Sequence, residues 1–387
     1  MEWGLFVLVL VAIVLGFILG RRSLPKEDES ATSLLEPHYI RGLNYFLNDQ
    51  EDAAIDTFIH ALDVNSETLE THLALGNLLR KRGEVSRAIK VHQNLLARPG
   101  LPVDRSQQVQ LELAKDFVKS GLMDRAEVLL QELVADAHVN IKTRCLKYLI
   151  EIYRDEKEWL KGIHAINQLS GKRFAKLPEQ WRLVQSQFYC ELAQEALDRS
   201  DYLVCRRQIK AAIGADKNSV RASMILAELE QKLGHYKDAI RTLKQIPFQD
   251  PAFLPEMLPR LVTCYRMTGN LKGLRRSLDQ LLESHSHPAV VLELADLMAR
   301  EQGQTEATAF MAEKISQTPS INVAEKMLAI QSQGGDGSPA LQLAETAVSS
   351  LQKNRPKYRC NQCGFGGRQL HWLCPSCKSW GSVKPTD

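Results

Sequence analysis

Apolar residues follow two patterns along this chain. From Trp3 to Gly20 they form a run of eighteen residues without a charge, whereas from about residue 34 to 352 they recur at helical spacing between polar residues. Eighteen helical residues span about 27 Å, close to the roughly 30 Å of a hydrocarbon core. The pattern predicts a transmembrane anchor within residues 1–20 and a body of amphipathic helices after it.

The charges beside the apolar run predict whether it is cleaved and which way it crosses the membrane. Glu2 precedes the run and Arg21 and Arg22 follow it, whereas a cleaved signal peptide has a basic segment first and a small-x-small cleavage site. Arginines beside a membrane helix mark its cytoplasmic side. We therefore expect an uncleaved single-pass anchor, a polar cytoplasmic linker over residues 21–33, and the bulk of the chain in the cytoplasm.

The helical body contains a repeat of 34 residues. Gly42 and Gly76 are 34 residues apart, and so are Ala54 and Ala88. Gly42 and Ala54 lie in one stretch, and Gly76 and Ala88 lie in the next. Each stretch has a small residue, a large apolar residue three positions later, a turn, an alanine and further apolar residues at helical spacing. Small residues let two helices approach closely, and the large ones fill the space between them. One such helix pair cannot bury its apolar face alone, so we predict a stacked array rather than an ordinary helical bundle.

This unit resembles the tetratricopeptide repeat. The second unit carries Leu75, Gly76, Gly83, Ala88 and Leu95 at the family's signature positions. The resemblance implies an all-α fold, a superhelix of about nine helix pairs over residues 34–352, with weaker units towards its end. The last pair, at about 321–352, is interrupted by the turn GGDGSP. Four cysteines inside the array share no spacing, and we interpret them as packing residues: Cys145, Cys190, Cys205 and Cys264.

The other four cysteines form two C-x2-C pairs near the end of the chain, separated by ten residues: Cys360, Cys363, Cys374 and Cys377. In a reducing compartment such pairs are metal ligands more often than disulfides, and two facing knuckles complete a tetrahedral shell of four sulfurs. Gly364 follows the first pair, where a knuckle often needs a positive φ. We predict a rubredoxin-like domain over residues 353–387 that holds one zinc or iron ion. A dithiol redox centre is the alternative.

Aromatic residues surround these cysteines. Tyr358, Phe365, Trp372 and Trp380 can supply a miniature core for a domain that is otherwise too small to be stable. We hypothesise that Trp372 and Trp380 also dock this domain on the repeat array.

Charge and motif content limit the function classes. With 49 basic and 46 acidic residues, the net charge of +3 gives no global field for nucleic acid. No nucleotide loop, Ser/His/Asp set or pair of carboxylates stands out, and a closed shell of four cysteines leaves no open metal position. We expect a binding protein and not an enzyme. From Arg355 to Asp387, however, the chain has six basic side chains and one acidic side chain. A membrane-tethered zinc-ribbon regulator that binds nucleic acid is therefore the alternative.

The whole chain resembles the lipopolysaccharide assembly protein B family of Gram-negative bacteria. The resemblance rests on the order of anchor, repeats and four-cysteine domain, on the opening MEWGLFVLVL and on the ending CPSCKSWG. It implies an inner-membrane adaptor that helps a membrane AAA+ protease degrade the deacetylase committing carbon to lipid A. It also implies partners in lipopolysaccharide assembly and transport, and a membrane protein that senses lipopolysaccharide.

In the tetratricopeptide family, partner segments bind positions on the first helix of each unit. Carried over to this sequence, these positions include two leucines, Leu73 and Leu111, and a polar set that forms a basic stripe suited to an acidic segment: Asn77, Arg80, Lys81, Lys115 and Lys119. A solvated surface without a partner is the alternative for this stripe.

Overall fold

The computed structural model describes residues 69–170, 177–333 and 339–386, with a few isolated positions between 41 and 57. The predicted anchor, the linker, most of the first repeat and residues 334–338 of the GGDGSP turn lie outside this part. No helix among the described residues is both long and apolar enough to cross a membrane. The chain divides between Ile152 and Tyr153 into two compact units, and each is described by itself.

The first unit is a series of antiparallel helices. Its described elements are α1 Leu69–Arg82, α2 Val85–Leu96, α3 Val103–Ser120, α4 Met123–Asp136 and most of α5 Val139–Asp155. Each of α1, α2 and α3 packs on the next helix, and α1 also touches α3. Ala88 and Ala126 are fully buried where the helices meet, and a Cβ on Gly76 would lie 2.4 Å from His92 Nε2. Small residues are therefore required where the repeat pattern places them.

The second unit continues the helix pairs and ends in a small sheet. Its helices are α6 Trp159–Leu169, α7 Glu179–Asp198, α8 Tyr202–Ala215, α9 Val220–Lys232, α10 Tyr236–Leu243, α11 Ile246–Gln249, α12 Leu254–Met267, α13 Leu271–His285, α14 Pro288–Glu301, α15 Gln304–Gln317, α16 Ile321–Gln333 and α17 Pro339–Asn354. Among the described residues, sixteen longer helices thus follow one another in chain order as eight helix–turn–helix units. The tetratricopeptide-like array is confirmed for this part of the chain, including the weaker late units.

One element breaks the regular alternation. Between α10 and α12 the chain forms the single turn α11 and a 3₁₀ turn, Pro251–Phe253. Pro247 is the second residue of the first of these turns, and the side chain of Asp250 caps the second by accepting a hydrogen bond from the Ala252 amide at 3.0 Å. The insertion places Phe253, only 1% exposed, in the apolar core cluster that includes buried residues of α9 and α12. The repeat pattern does not predict it.

The C-terminal segment is the only described part with strands. β1 Tyr358–Cys360 lies between β2 Gly366–Gly367 and β3 Val383–Pro385, and both pairings are antiparallel. Cys360 lies opposite Val383, and both are buried. This sheet closes the predicted four-cysteine domain.

Candidate metal centre and its docking surface

The two C-x2-C pairs form knuckles with the same backbone plan. In the first, the Cys360 amide donates to the Phe365 carbonyl at 2.8 Å, and the Gly364 amide donates to the Cys360 carbonyl at 2.9 Å. In the second, the Cys374 amide donates to the Ser379 carbonyl and the Lys378 amide donates to the Cys374 carbonyl, both at 3.0 Å. Gly364 has φ +78°, as predicted, and Lys378 adopts the same left-handed conformation with φ +57°.

The knuckles bring all four cysteines together. Sγ of Cys360 lies 3.7 Å from that of Cys377, Sγ of Cys363 lies 3.7 Å from that of Cys374, and all four sulfurs lie within 4.8 Å of one another. Four sulfurs placed tetrahedrally at about 2.3 Å from a zinc ion are about 3.8 Å apart. The donor set and the spacing therefore fit a metal ion in a closed sulfur shell, and they fit zinc and iron alike.

The thiols of this cluster differ in their surroundings. The Ser382 hydroxyl, 3.2 Å from the sulfur, lowers the pKa of Cys360 to about 6. Burial raises the pKa of Cys374 to about 11. A bound cation would supply the positive charge that lets a buried thiol ionise. The cluster therefore suits a cation better than four neutral thiols.

Tryptophans of the metal domain pack on the helices of the second unit. Trp372 stacks on Phe253 with ring centroids 5.2 Å apart and an interplanar angle of 13°. Trp380 meets Trp159 and Phe188 edge-on, at 6.3 and 6.1 Å. Such contacts stabilise by about 0.5–1.5 kcal/mol each beyond their buried area. The hypothesis that Trp372 and Trp380 dock the domain on the repeats is confirmed.

A buried arginine lies at the centre of this contact. The Arg221 guanidinium is 5.7 Å from the ring of Trp372 and 5.8 Å from that of Trp380. It donates to Glu191 at 2.9 Å and to Gln187 at 3.3 Å, and the residue is only 6% exposed. Its charge is thus balanced by a carboxylate of α7 and by two aromatic faces of the metal domain.

Polar contacts surround the aromatic ones. The Tyr358 hydroxyl donates to Glu256, and burial together with this carboxylate raises the pKa of Tyr358. Lys384 donates to Asp250, and its Nζ lies 4.5 Å from the ring centroid of Phe253. Each of these pairs joins the metal domain to a helix or turn of the array. The sheet and the repeats therefore share both an apolar and a charged interface.

Several residues of this surface were missed in the sequence. Arg221 stands between the buried Val220 and Ala222, and a cation flanked by apolar residues on a helix is the one signal that could have marked it. Phe188 and Phe253 carry no such signal, because any array needs buried phenylalanines.

The four remaining cysteines are buried in the array. Burial raises the pKa of Cys145, Cys190 and Cys205 to about 11 and raises that of Cys264 as well. Neutral, inaccessible thiols are poor nucleophiles, which supports their interpretation as packing residues.

The predicted basic stripe divides into two groups. Lys81 and Lys119 are exposed, whereas Arg80 is bound to carboxylates of α3 and donates to Asn77, and Lys115 lies 2.5 Å from Glu112. The two leucines carried over with the stripe, Leu73 and Leu111, are buried at 3% and 0% and line no surface. The partner-binding role of the polar residues stays a prediction.

Two family models match the chain. One, described as a rubredoxin metal-binding domain, matches residues 358–385, and one described as a tetratricopeptide repeat matches residues 71–102. Lipopolysaccharide assembly protein B of Escherichia coli strain K12 is 31% identical over 385 residues, covering 98% of this chain and 97% of its own. The protein of the same name from Haemophilus influenzae is 31% identical over 392 residues with the same coverage.

Solved helical-repeat proteins are similar in a more distant way. A tetratricopeptide repeat protein from Parabacteroides merdae covers 68% of this chain and 98% of its own, at 14% identity and a TM-score of 0.34. A repeat protein from Cytophaga hutchinsonii covers 70% and 97%, at 9% identity and a TM-score of 0.37.

Proposed function

The chain belongs to the lipopolysaccharide assembly protein B family, and on this premise we propose that it is an inner-membrane adaptor that regulates lipopolysaccharide biosynthesis. In this proposal it is not an enzyme. Its cytoplasmic repeats bring a membrane AAA+ protease together with the deacetylase that commits carbon to lipid A. Proteins of lipopolysaccharide assembly, transport and sensing are further partners.

The anchor and the repeats have separate tasks in this proposal. The repeats supply long helical faces suited to segments of other proteins. The predicted anchor, Trp3 to Gly20, keeps those faces beside a membrane protease. Tethering makes the second encounter effectively intramolecular, at effective concentrations that reach about millimolar for short linkers.

The metal centre has a structural task. Cys360, Cys363, Cys374 and Cys377 would hold one zinc or iron ion, and a closed shell of four sulfurs supplies folding energy rather than a reactive position. In small zinc domains this energy is about 10–16 kcal/mol. The observation that carries the proposal is the docking of this domain on Arg221 and Phe253. Through it, metal binding would fix the shape of the repeat face.

The test follows the lifetime of the lipid A deacetylase in cells. Deletion of residues 2–20 and the double change Cys374→Ser with Cys377→Ser should each lengthen that lifetime severalfold. Cys205→Ala is the matched control, because Cys205 occupies a small, fully buried position of the array. It should leave the lifetime unchanged. Normal turnover in both test variants, with the array folded by circular dichroism, would refute the proposal.

The nucleic-acid alternative receives less support from the contacts of the basic tail. Lys384 binds Asp250, Lys378 lies 3.9 Å from Asp155, and Arg368 donates to the Lys353 carbonyl. Three of the six cations that suggested a phosphate-binding surface therefore have partners within the chain.

A further inference from the structure

The last helix of the array, α17, has an exposed apolar face. On its inner side α17 packs on α16, where the Ser349 hydroxyl donates to Glu325 at 2.7 Å. Its outer side carries five exposed apolar side chains, which we call the α17 patch: Ala340, Leu343, Ala344, Ala347 and Leu351. Leu343 and Leu351 are 73% and 60% exposed, so the patch presents its two largest side chains to solvent.

The patch is a continuous stripe and not a scatter of exposed residues. At 3.6 residues per turn, its five positions lie within a sector of about 100° around the helix axis. The two charged residues of α17, Glu345 and Lys353, lie outside this sector. The stripe therefore has the width and the composition of a helix face that packs against another helix.

Elsewhere in the second unit, the next repeat covers the corresponding face. The second helix α13 packs on α14, and the second helix α15 packs on α16. After α17 the chain instead enters the sheet at Tyr358. Repeat arrays generally need a polar outer face on their terminal unit to stay soluble, and α17 lacks one. An apolar stripe in this place has the character of an interface.

The order of side chains in the patch is symmetric about Ala347. Leu343 stands four residues before it and Leu351 four residues after it. If two copies of α17 pack antiparallel about a two-fold axis at Ala347, Leu343 of each copy meets Leu351 of the other. The two small Ala347 side chains then let the helices approach closely. A second copy of the chain thus offers a matching surface, and no charge of the patch has to be buried.

From this arrangement we infer that the α17 patch joins two copies of the chain in an antiparallel pair. Five side chains are far fewer than the roughly 20–30 residues on each side of a stable interface, so the pair is weak in free solution. The predicted anchor, Trp3 to Gly20, would hold the copies in one membrane and raise their effective concentration. The inference goes beyond the proposed adaptor function, which requires a single copy.

The first test is crosslinking of cysteine variants of the full-length protein in proteoliposomes. Ala347→Cys should crosslink to itself, because the two-fold axis brings the two copies of this position together. Leu343→Cys and Leu351→Cys should each crosslink poorly alone but well when mixed, since like positions lie about 12 Å apart along the axis and a shorter bifunctional maleimide is used. Gln342→Cys, exposed on α17 but outside the patch, is the matched control and should give no more dimer than the wild-type chain.

The second test exchanges charges in the Ala347→Cys protein. Leu343→Lys with Leu351→Glu places opposite charges face to face in the antiparallel pair and should keep most of the crosslinking. Leu343→Lys with Leu351→Lys places like charges there and should reduce crosslinking about tenfold. Both variants should unfold in urea like their parent, because both positions are exposed.

Four outcomes would overturn the inference. In proteoliposomes these are Ala347→Cys crosslinking no better than Gln342→Cys, Leu343→Cys crosslinking to itself as well as to Leu351→Cys, and equal losses in the two charge variants. In cell membranes, the fourth is Ala347→Cys adducts with other proteins and none between copies. Because the readout is contact between copies, its failure leaves the deacetylase-lifetime test untouched, and the reverse also holds.

Discussion

The first helices of the repeats carry arginines paired with carboxylates in both units, but the two units differ in what covers these arginines. In the second unit, Arg221 is 6% exposed because Trp372 and Trp380 of the metal domain cover it. In the first unit, Arg80 is bound to carboxylates of α3, and Arg144 beside it stays 45% exposed. One face is closed by the chain itself, and the other keeps Arg144 at the surface.

The comparison shows what a charged repeat face needs. A buried cation requires a carboxylate partner and also a cover that excludes water without leaving polar groups unpaired. Arg221 has both, because Glu191 neutralises it and two indole rings stack over it. The network around Glu112 has the carboxylates only. The covered face therefore behaves as a core, whereas the uncovered one leaves Arg144 exposed to solvent.

The largest expected effect comes from unfolding the metal domain, whose tryptophans cover Arg221. The double change Cys360→Ser with Cys363→Ser should reduce the metal content from about one equivalent to nearly none, since two of four ligands are lost. Tryptophan fluorescence should report the release of Trp372 and Trp380, while far-UV circular dichroism stays nearly constant because the array supplies almost all the helix. Full metal occupancy in the double variant would contradict the four-sulfur assignment.

A smaller effect is expected when the covered arginine is removed. Arg221→Ala leaves Glu191 without its cation and opens a gap between two indole rings, which should lower the free energy of unfolding of the second unit by about 3–5 kcal/mol. Limited proteolysis between α17 and β1 should become faster. The control is Arg206→Ala, whose side chain is 50% exposed and binds Glu230. If both variants release the metal domain at the wild-type rate, Arg221 does not hold it.

A third change tests the packing beneath the uncovered face. A Cβ on Gly76 would lie 2.4 Å from His92 Nε2, and the fully buried His92 ring is bound to Asp116 at 2.5 Å, which opposes its movement. Gly76→Ala should therefore destabilise the first unit by about 1–3 kcal/mol. Gly214→Ala is the contrast, because nothing lies within 4 Å of its added Cβ and it should stabilise α8 by about 0.5–1 kcal/mol. Amide hydrogen exchange in α1–α4 measures the first effect. Equal exchange in Gly76→Ala and wild type would show that the ring yields.

The parts that the sequence predicts correctly are those encoded locally. The 34-residue period places Gly76 and Ala88 where helices touch, and the C-x2-C spacing places two sulfurs in each knuckle. Both patterns depend on residues within one or two repeats. The array and the sulfur cluster could therefore be predicted without knowledge of the tertiary contacts.

The missed parts depend on residues far apart in the chain. Arg221 meets Trp372 and Trp380 across more than 150 residues, and Phe253 lies in a turn that interrupts the period. Arg80 was carried over from the repeat family as a partner-binding position, and its ion pairs with α3 were not predicted. It turns inward because the neighbouring helix offers buried carboxylates, a feature that periodicity does not show.

The smallest expected effect, and the one most specific to the uncovered face, is a pH dependence. Burial opposes ionisation of Glu112, but the hydrogen bonds and charges of Lys115 and Arg80 outweigh it and hold its pKa below the usual 4.5. The unfolded chain therefore binds this proton more readily than the folded one. The stabilisation is fully present above about pH 4.5 and is lost as the pH falls through the folded pKa. Glu112→Gln should thus be less stable than wild type at pH 7, and the difference should shrink below pH 4.5.

Urea unfolding from pH 7 to 3, followed by amide hydrogen exchange in α1–α4, measures this difference in stability. Glu132→Gln, at an exposed position of α4, is the control and should follow the wild-type curve. A difference between Glu112→Gln and wild type that stays constant from pH 7 to 3 would show that the ionised carboxylate does not stabilise this face.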